Sequence, residues 1–390
     1  MKVRSRYHGK PRHREVPMNE SRPRRLHPLH TLVLSLLLAI LSGWLLQVGK
    51  NLLLPVFLAL ISVYVLVALA DWLRKVPRLG SAPAWLRRLL VLCGFVGVLL
   101  LLTGIVISTG EKMIATAPTY QENLKRLLDS VTTWLGMAQS PDWQSIRAAT
   151  IDRVNLATLL GTVLGSVGSL LGIVIMVAVY AMFLLGERDG FAHKLEVAMP
   201  GDSAAQTRKL IGDINRRIGD YLAVKTLVNV ILAALSFIIL WLCGVDFALF
   251  WAVVIGLLNY IPYVGSFLGV LFPVVLALAQ FGSLHMMLLV LILLSAAQMY
   301  VGNVLEPKMI GKQVNLSPFV VLVALSLWTS LWGVAGAVLA IPLTSIITII
   351  LAAFAPTRPL AVLLAENVDE FVADTASRAE TAAPDEPFLP

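Results

Sequence analysis

Residues 247–282 read FALFWAVVIGLLNYIPYVGSFLGVLFPVVLALAQFG. No formal charge interrupts them, yet the middle, NYIPYVG at 259–265, is a poor helix: Pro262 removes a backbone donor and Gly265 removes a side chain. A bilayer core of about 30 Å takes roughly 20 apolar residues at about 1.5 Å each. The stretch is too long for one span and is interrupted near its centre. Lipid offers no hydrogen bonds, so backbone groups freed at the break have to face protein or a water-filled cavity. Broken helices of this kind bind substrates in secondary transporters. The other reading is a purely structural hairpin.

Seven more charge-free stretches of span length flank this one, at 31–49, 51–70, 89–110, 154–186, 226–245, 284–305 and 313–357. The last is also overlong and is interrupted by WTSLWG at 328–333, with Gly336 and Pro342 beyond. Each interrupted stretch is either two short spans or one re-entrant hairpin. Composition agrees: 58% of residues are hydrophobic and 14% charged, against roughly 25% charged in a soluble domain. That excludes a soluble multi-domain enzyme, a disordered chain and a collagen-like one. The expected fold class is an all-α membrane protein, a polytopic helical bundle of about eight spans with two interrupted segments. The first apolar run is too long for a signal peptide, and a second follows without a cleavage-type site.

The +8 net charge reports topology. Residues 1–30 hold nine Lys/Arg, and with alternating spans 25 of the 31 Lys/Arg fall on the same side as that arm. The positive-inside rule then places both termini in the cytoplasm. No nucleic-acid partner is expected; lipid headgroups are the natural contact for the basic arm.

The expected organisation follows: a basic disordered arm (1–30), three spans (31–110), an extracytoplasmic helical insert (111–153), the fourth span (154–186), a cytoplasmic amphipathic segment (187–225), a core bundle with the broken helices (226–357) and an acidic disordered tail (358–390). In the insert, Leu124, Leu127, Leu128, Val131 and Leu135 share one helical face, and Ser140-Pro141 resembles a helix start. In the inner segment Leu210, Ile214, Ile218, Tyr221 and Leu222 form a stripe opposite Arg208, Lys209, Arg216 and Arg217. Such a stripe either lies at the headgroup level or packs on a neighbouring subunit. Gly161, Gly165, Gly168 and Gly172 have the small-residue spacing of packed membrane helices.

Enzyme signatures are absent: there is no metal-protease motif, phosphate loop or nucleophile elbow. Cys93 and Cys243 stand apart in apolar stretches, the six histidines show no ligand spacing, and neither cofactor nor metal is expected. What remains is polar residues at membrane depth. Asn229, Asn259, Gln298 and Asn303 carry amides that need partners or a cavity. Gln298 and Asn303, five apart, share a helical stripe badly, whereas Asn303 and Glu306, three apart, share one well. Glu306 and Asp246 are carboxylates near broken elements, and a plain interfacial anchor is the bland reading of each. Tyr263 and Gly269 complete the neighbourhood of the first break.

IPYVG at 261–265, GNVLEPKMIG at 302–311, SP at 317–318, GVAG at 333–336 and IP at 341–342, in that order, resemble the autoinducer-2 exporter family of bacterial permeases. The resemblance covers about residues 31–355. It implies an eight-span inner-membrane homo-oligomer, with a pentamer as one form, that exports a small polar solute of the autoinducer-2 kind or exchanges monovalent cations for protons. Pro262, Gly265, Asn303, Glu306, Pro307, Gly333, Gly336 and Pro342 match its motifs. With the residues singled out above, the candidate pathway is Asn259, Pro262, Tyr263, Gly265, Gly269, Gln298, Asn303, Glu306, Pro307, Gly333, Gly336 and Pro342, and the expected partners are a small molecule or ion and the bilayer. The alternative is a non-transporting oligomeric membrane scaffold that binds partners through its outer and inner helical segments.

Overall fold

The computed structural model describes residues 28–73, 83–134, 175–187, 201–310 and 315–369, with isolated positions between 172 and 198. The first 25 residues, the helix start at Ser140, three of the four spaced glycines and the end of the tail lie outside the described residues. The chain forms two units, Met1–Leu46 and Gln47–Pro390. The first holds most of α1 (Pro28–Val48), a helix apolar around its whole circumference, with Leu36, Leu37, Ile40, Leu41 and Trp44 each more than half exposed. A helix without a polar face suits lipid.

The second unit contains α2 (Lys50–Leu73), α3 (Ala84–Trp134), α4 (Ile175–Glu187), α5 (Gly201–Leu242), α6 (Ala248–Leu258), α7 (Val264–Phe281), α8 (Leu284–Tyr300), a π turn (Val301–Leu305), α9 (Glu306–Ile310), α10 (Pro318–Ala353) and α11 (Arg358–Leu364). No strand occurs among the described residues. Six helices there are long and apolar enough to cross a membrane. They lie on six of the eight stretches read from the sequence. The first stretch is represented by the shorter apolar helix Val33–Val48 and the fourth by Ile175–Glu187, most of the fourth lying outside the described residues. The chain is an all-α, multi-pass membrane protein.

Two helices outrun the bilayer. α3 has 51 residues, about 76 Å at 1.5 Å each, and the charges at Glu111 and Lys112 do not stop it. Its polar half is tied by an i,i+4 pair, Glu122 with Arg126 at 2.6 Å. α5 has 42 residues, amphipathic before Lys225 and charge-free after it. Much of the stripe on its first half is taken up inside the chain: Ile218, Tyr221 and Leu222 are buried against Ile61, Tyr64 and Val65 of α2 and Ile341 and Ile346 of α10, with Ile214 half-buried beside them. The Tyr64 hydroxyl donates to Asn215 Oδ1 at 2.8 Å. The physical reason is length: α5 continues unbroken into its spanning half, so its stripe stays in register with the bundle.

The start of the tail also differs from the expectation of disorder. Residues 358–364 form α11, Ala361 is buried, and Asn315 Oδ1 accepts the backbone N–H groups of Glu366 and Asn367 at 2.9 Å each. Five apolar residues of seven let this short helix cover the end of α10 before the acidic run begins.

Both interrupted stretches fold back on themselves. α6 has 11 residues, about 16 Å, half of what a bilayer core needs. It stands beside α7, close enough that a Cβ on Gly269 would sit 3.6 Å from Ile255 Cα. Within α10, Gly333 has φ 63° and ψ −143°, which only glycine adopts without cost. Trp328 Nε1 then donates to Thr344 Oγ1 at 3.1 Å, although a straight helix would put about 24 Å between those residues. The main core joins the first hairpin to its neighbours: Val228, Leu232 and Leu240 of α5, Ile255 of α6, Val274 and Ala277 of α7, and Val290 and Leu294 of α8.

Candidate functional site

The turn between α6 and α7 is strained. Val264 N–H donates to the Pro262 carbonyl at 2.6 Å across Tyr263, whose φ is 59° and ψ −55°. This is a γ-turn of the positive-φ kind, a conformation that costs a bulky residue about 1–3 kcal/mol. The surroundings enforce it. A Cβ on Gly265 would lie 1.8 Å from the Leu258 carbonyl oxygen, so the two arms of the hairpin touch backbone to backbone. The second hairpin repeats the device: a Cβ on Gly336 would lie 1.9 Å from the Trp328 carbonyl oxygen. In both, glycine lets a helix end meet the next helix start without a side chain between.

The first hairpin opens on a cleft of about 790 Å³. Asn259, Tyr260, Pro262 and Tyr263 line it from the turn, Ser266 and Phe267 from α7, Ser295 and Gln298 from α8, Asn303 from the π turn, then Glu306, and Lys225 from α5. The π turn decides the far wall. Glu306 N–H donates to the Val301 carbonyl, five residues back. Five residues of α-helix rotate a side chain by about 140°, which is why Gln298 and Asn303 look mismatched on an α-helical wheel. The wider turn carries one extra residue, and both line the same cleft. The expectation that they do not share a face is corrected by this change of helical period.

The polar side chains form two sets. Gln298 Nε2 donates to Asn259 Oδ1 at 3.2 Å, and Asn259 Nδ2 donates to Asn229 Oδ1 at 2.8 Å. At the two ends of this amide relay, Gln298 Oε1 and Asn229 Nδ2 are buried with no hydrogen-bond partner. A buried, unpartnered amide is expensive in a protein interior, and more so at membrane depth. Beside the relay, the Thr226 and Tyr260 hydroxyls lie 2.7 Å apart. The second set is an ion pair: Lys225 Nζ donates to Glu306 Oε1 at 2.5 Å, with side chains 7% and 25% exposed. Glu306 faces the cleft and holds a buried lysine.

Of the candidate pathway residues, Asn259, Pro262, Tyr263, Gln298, Asn303 and Glu306 are brought together on this cleft. Gly265 and Gly269 lie behind the wall, at the contact between α6 and α7. Pro307 follows Glu306 in α9. Gly333, Gly336 and Pro342 belong to the second hairpin, which reaches the cleft through Val321 and Ile341. The candidate pathway read from the sequence leaves out Lys225, Tyr260, Ser266 and Ser295, which also line the cleft. By sequence Lys225 is one more topology charge, although it stands at the last position before a charge-free span, where a long side chain can turn inward.

At the far end of α5 a third polar group is bonded into the fold. The Tyr120 hydroxyl donates to Asp246 Oδ2 at 2.7 Å, Asp246 N–H donates to Gln280 Oε1 at 2.7 Å, Gln280 Nε2 donates to the Gly244 carbonyl at 2.8 Å, and Asn123 Nδ2 donates to the Gln280 carbonyl at 2.6 Å. This cluster pins the polar half of α3 over the α5–α6 turn and the end of α7.

Comparison with known sequences places the whole bundle. Residues 32–355 match the profile of the family described as AI-2E family transporter. The chain is 30% identical over 344 residues to the "Putative transport protein YhhT" of Escherichia coli strain K12, covering 86% of this chain and 94% of that one. It is 28% identical over 342 residues to the "AI-2 transport protein TqsA" of the same strain, covering 86% and 95%. A "Putative transport protein" of Borreliella burgdorferi is 40% identical over 177 residues, 45% of this chain and 49% of that one, so the match spans about half of that relative's length.

Proposed function

The chain belongs to the AI-2E family of transporters, and from that premise we propose that the cleft between α7 and α8 is its transport pathway, taking a small polar solute across the bacterial inner membrane. The observation that carries the reading is the amide relay ending in two buried, unpartnered atoms, Gln298 Oε1 and Asn229 Nδ2. A dry structural hairpin has no use for an orphan amide, whereas a solute or water file supplies the missing partner. The similarity to a relative named an AI-2 transport protein supports a small solute. In this reading export is the direction, both termini are cytoplasmic because most Lys/Arg fall on that side, the protein works as a homo-oligomer, and no enzymatic chemistry is assigned to the chain.

Cysteine scanning tests it. With Cys93 and Cys243 replaced, single cysteines at Ser266, Ser295, Gln298 and Asn303 are expected to react with a membrane-impermeant maleimide in reconstituted full-length protein. Control cysteines at Val228 and Leu232, in the dry core, should stay unmodified. Cleft cysteines as inert as the controls overturn the pathway.

A further inference from the structure

Lys225 and Glu306 are the only charged side chains among the described residues lining the cleft, and they are bonded to each other. Their positions are not those of surface anchors. Lys225 lies where the amphipathic half of α5 gives way to its charge-free half. Glu306 leaves the π turn, whose changed period aims it across the cleft. The pair thus joins α5 to the α8–α9 wall next to Asn303 and Tyr260.

We propose that this pair sets the charge selectivity of the cleft: each residue cancels the other's field, so the cleft favours uncharged solutes and excludes small ions of either sign. The proposal rests on the transport reading and names a determinant within that same site. The physical argument is field focusing. A charge inside a cleft with low-dielectric walls concentrates counter-ions, and charged side chains lining a pore decide which sign passes. Two opposite charges 2.5 Å apart form a compact dipole whose field fades within a few ångströms, leaving the neutral amide and hydroxyl groups to meet the solute. Removing one partner uncovers the other. Glu306 alone makes the cleft acidic and Lys225 alone makes it basic.

The experiment uses full-length protein in liposomes, with radioactive sodium and chloride as separate probes. Lys225→Met is expected to raise sodium uptake at least tenfold over wild type while leaving chloride uptake unchanged. Glu306→Gln is expected to do the reverse. The paired variants Lys225→Met/Glu306→Gln and Lys225→Glu/Glu306→Lys should both return to the low ion uptake of the wild type. They also serve as folding controls, because each removes the lone charge that could unfold a single variant. Sodium uptake by the wild type, unchanged ion uptake in both singles, or an equal leak of both ions in each single overturns the proposal. When those results accompany maleimide-reactive cleft cysteines, the charge assignment fails and the pathway stands; when the cleft cysteines are inert, the pathway itself fails.

Discussion

Two polar clusters bracket the charge-free half of α5, and they are built on opposite rules. At one end Asp246, Gln280, Tyr120 and Asn123 exchange four hydrogen bonds with one another and with the chain, and none of their buried atoms lacks a partner among the described residues. At the other end the Asn229–Asn259–Gln298 relay closes two bonds and leaves an acceptor and a donor open. A satisfied polar network rigidifies its surroundings. An unsatisfied one keeps a standing demand for water or ligand. Asp246 and Glu306, two carboxylates beside broken helices, therefore have different work: the first clamps α3 onto the bundle and the second lines a cleft.

The contrast can be broken most severely at the hairpin that carries the cleft. Gly265→Val would drive a Cβ into the Leu258 carbonyl, 1.8 Å away in the present backbone. The expected cost is at least about 3 kcal/mol, the upper end of overpacking penalties. Purified protein should be polydisperse on size exclusion; a sharp peak with the wild-type Tm would mean the two arms do not touch. Gln280→Ala strips the clamp of two side-chain bonds and exposes Asp246 N–H and the Gly244 carbonyl. It should destabilise by about 2 kcal/mol at roughly 1 kcal/mol per bond, read as a lower Tm with cleft cysteines still reactive.

Tyr120→Phe is a finer version of the same test. It removes one hydroxyl from the Asp246 carboxylate and should cost about 1.5 kcal/mol, as for other hydrogen bonds to charged groups. Cleft reactivity should again be unaltered; a change there would couple the two clusters. The smallest stability change belongs to the cleft. Gln298→Leu removes the orphan Oε1 but deprives Asn259 Oδ1 of its donor, so the net change should stay within about 1 kcal/mol of zero. Maleimide reaction at a cysteine replacing Ser266 should nevertheless slow, because the wall loses its amide. Clamp variants thus lower stability and spare the cleft, and the cleft variant does the opposite.

Much of this architecture is legible in the amino-acid sequence. Pro262 and Gly265 mark the first break and Gly333 the second, since both residue types act through backbone chemistry that lipid cannot repair. The apolar face of 124–135 is legible by its 3.6-residue period, and α3 does run helical to Trp134. The grouping of Gln298 with Asn303 is not, because that inference assumes the α-helical period and the chain switches to a π turn at Val301. The Lys225–Glu306 pair is hidden for another reason: its members are 81 positions apart, and no local pattern reports a contact at that separation. The in-chain docking of the 210–222 stripe is undecidable for the same cause, as an apolar stripe records that it is covered and not by what.

Length, apolar content and the placement of proline, glycine and charge were enough for the class of molecule: a multi-pass helical bundle with two interrupted helices, because the bilayer's thickness and lack of hydrogen-bonding groups admit few other solutions. Tertiary structure alone decided that each interrupted helix doubles back, that the amides of α5, α6 and α8 join in one relay, and that the two charges of the cleft face each other. Those outcomes depend on which helices stand side by side. That is set by the packing of many weak apolar contacts over the whole bundle, and no single stretch of sequence carries it.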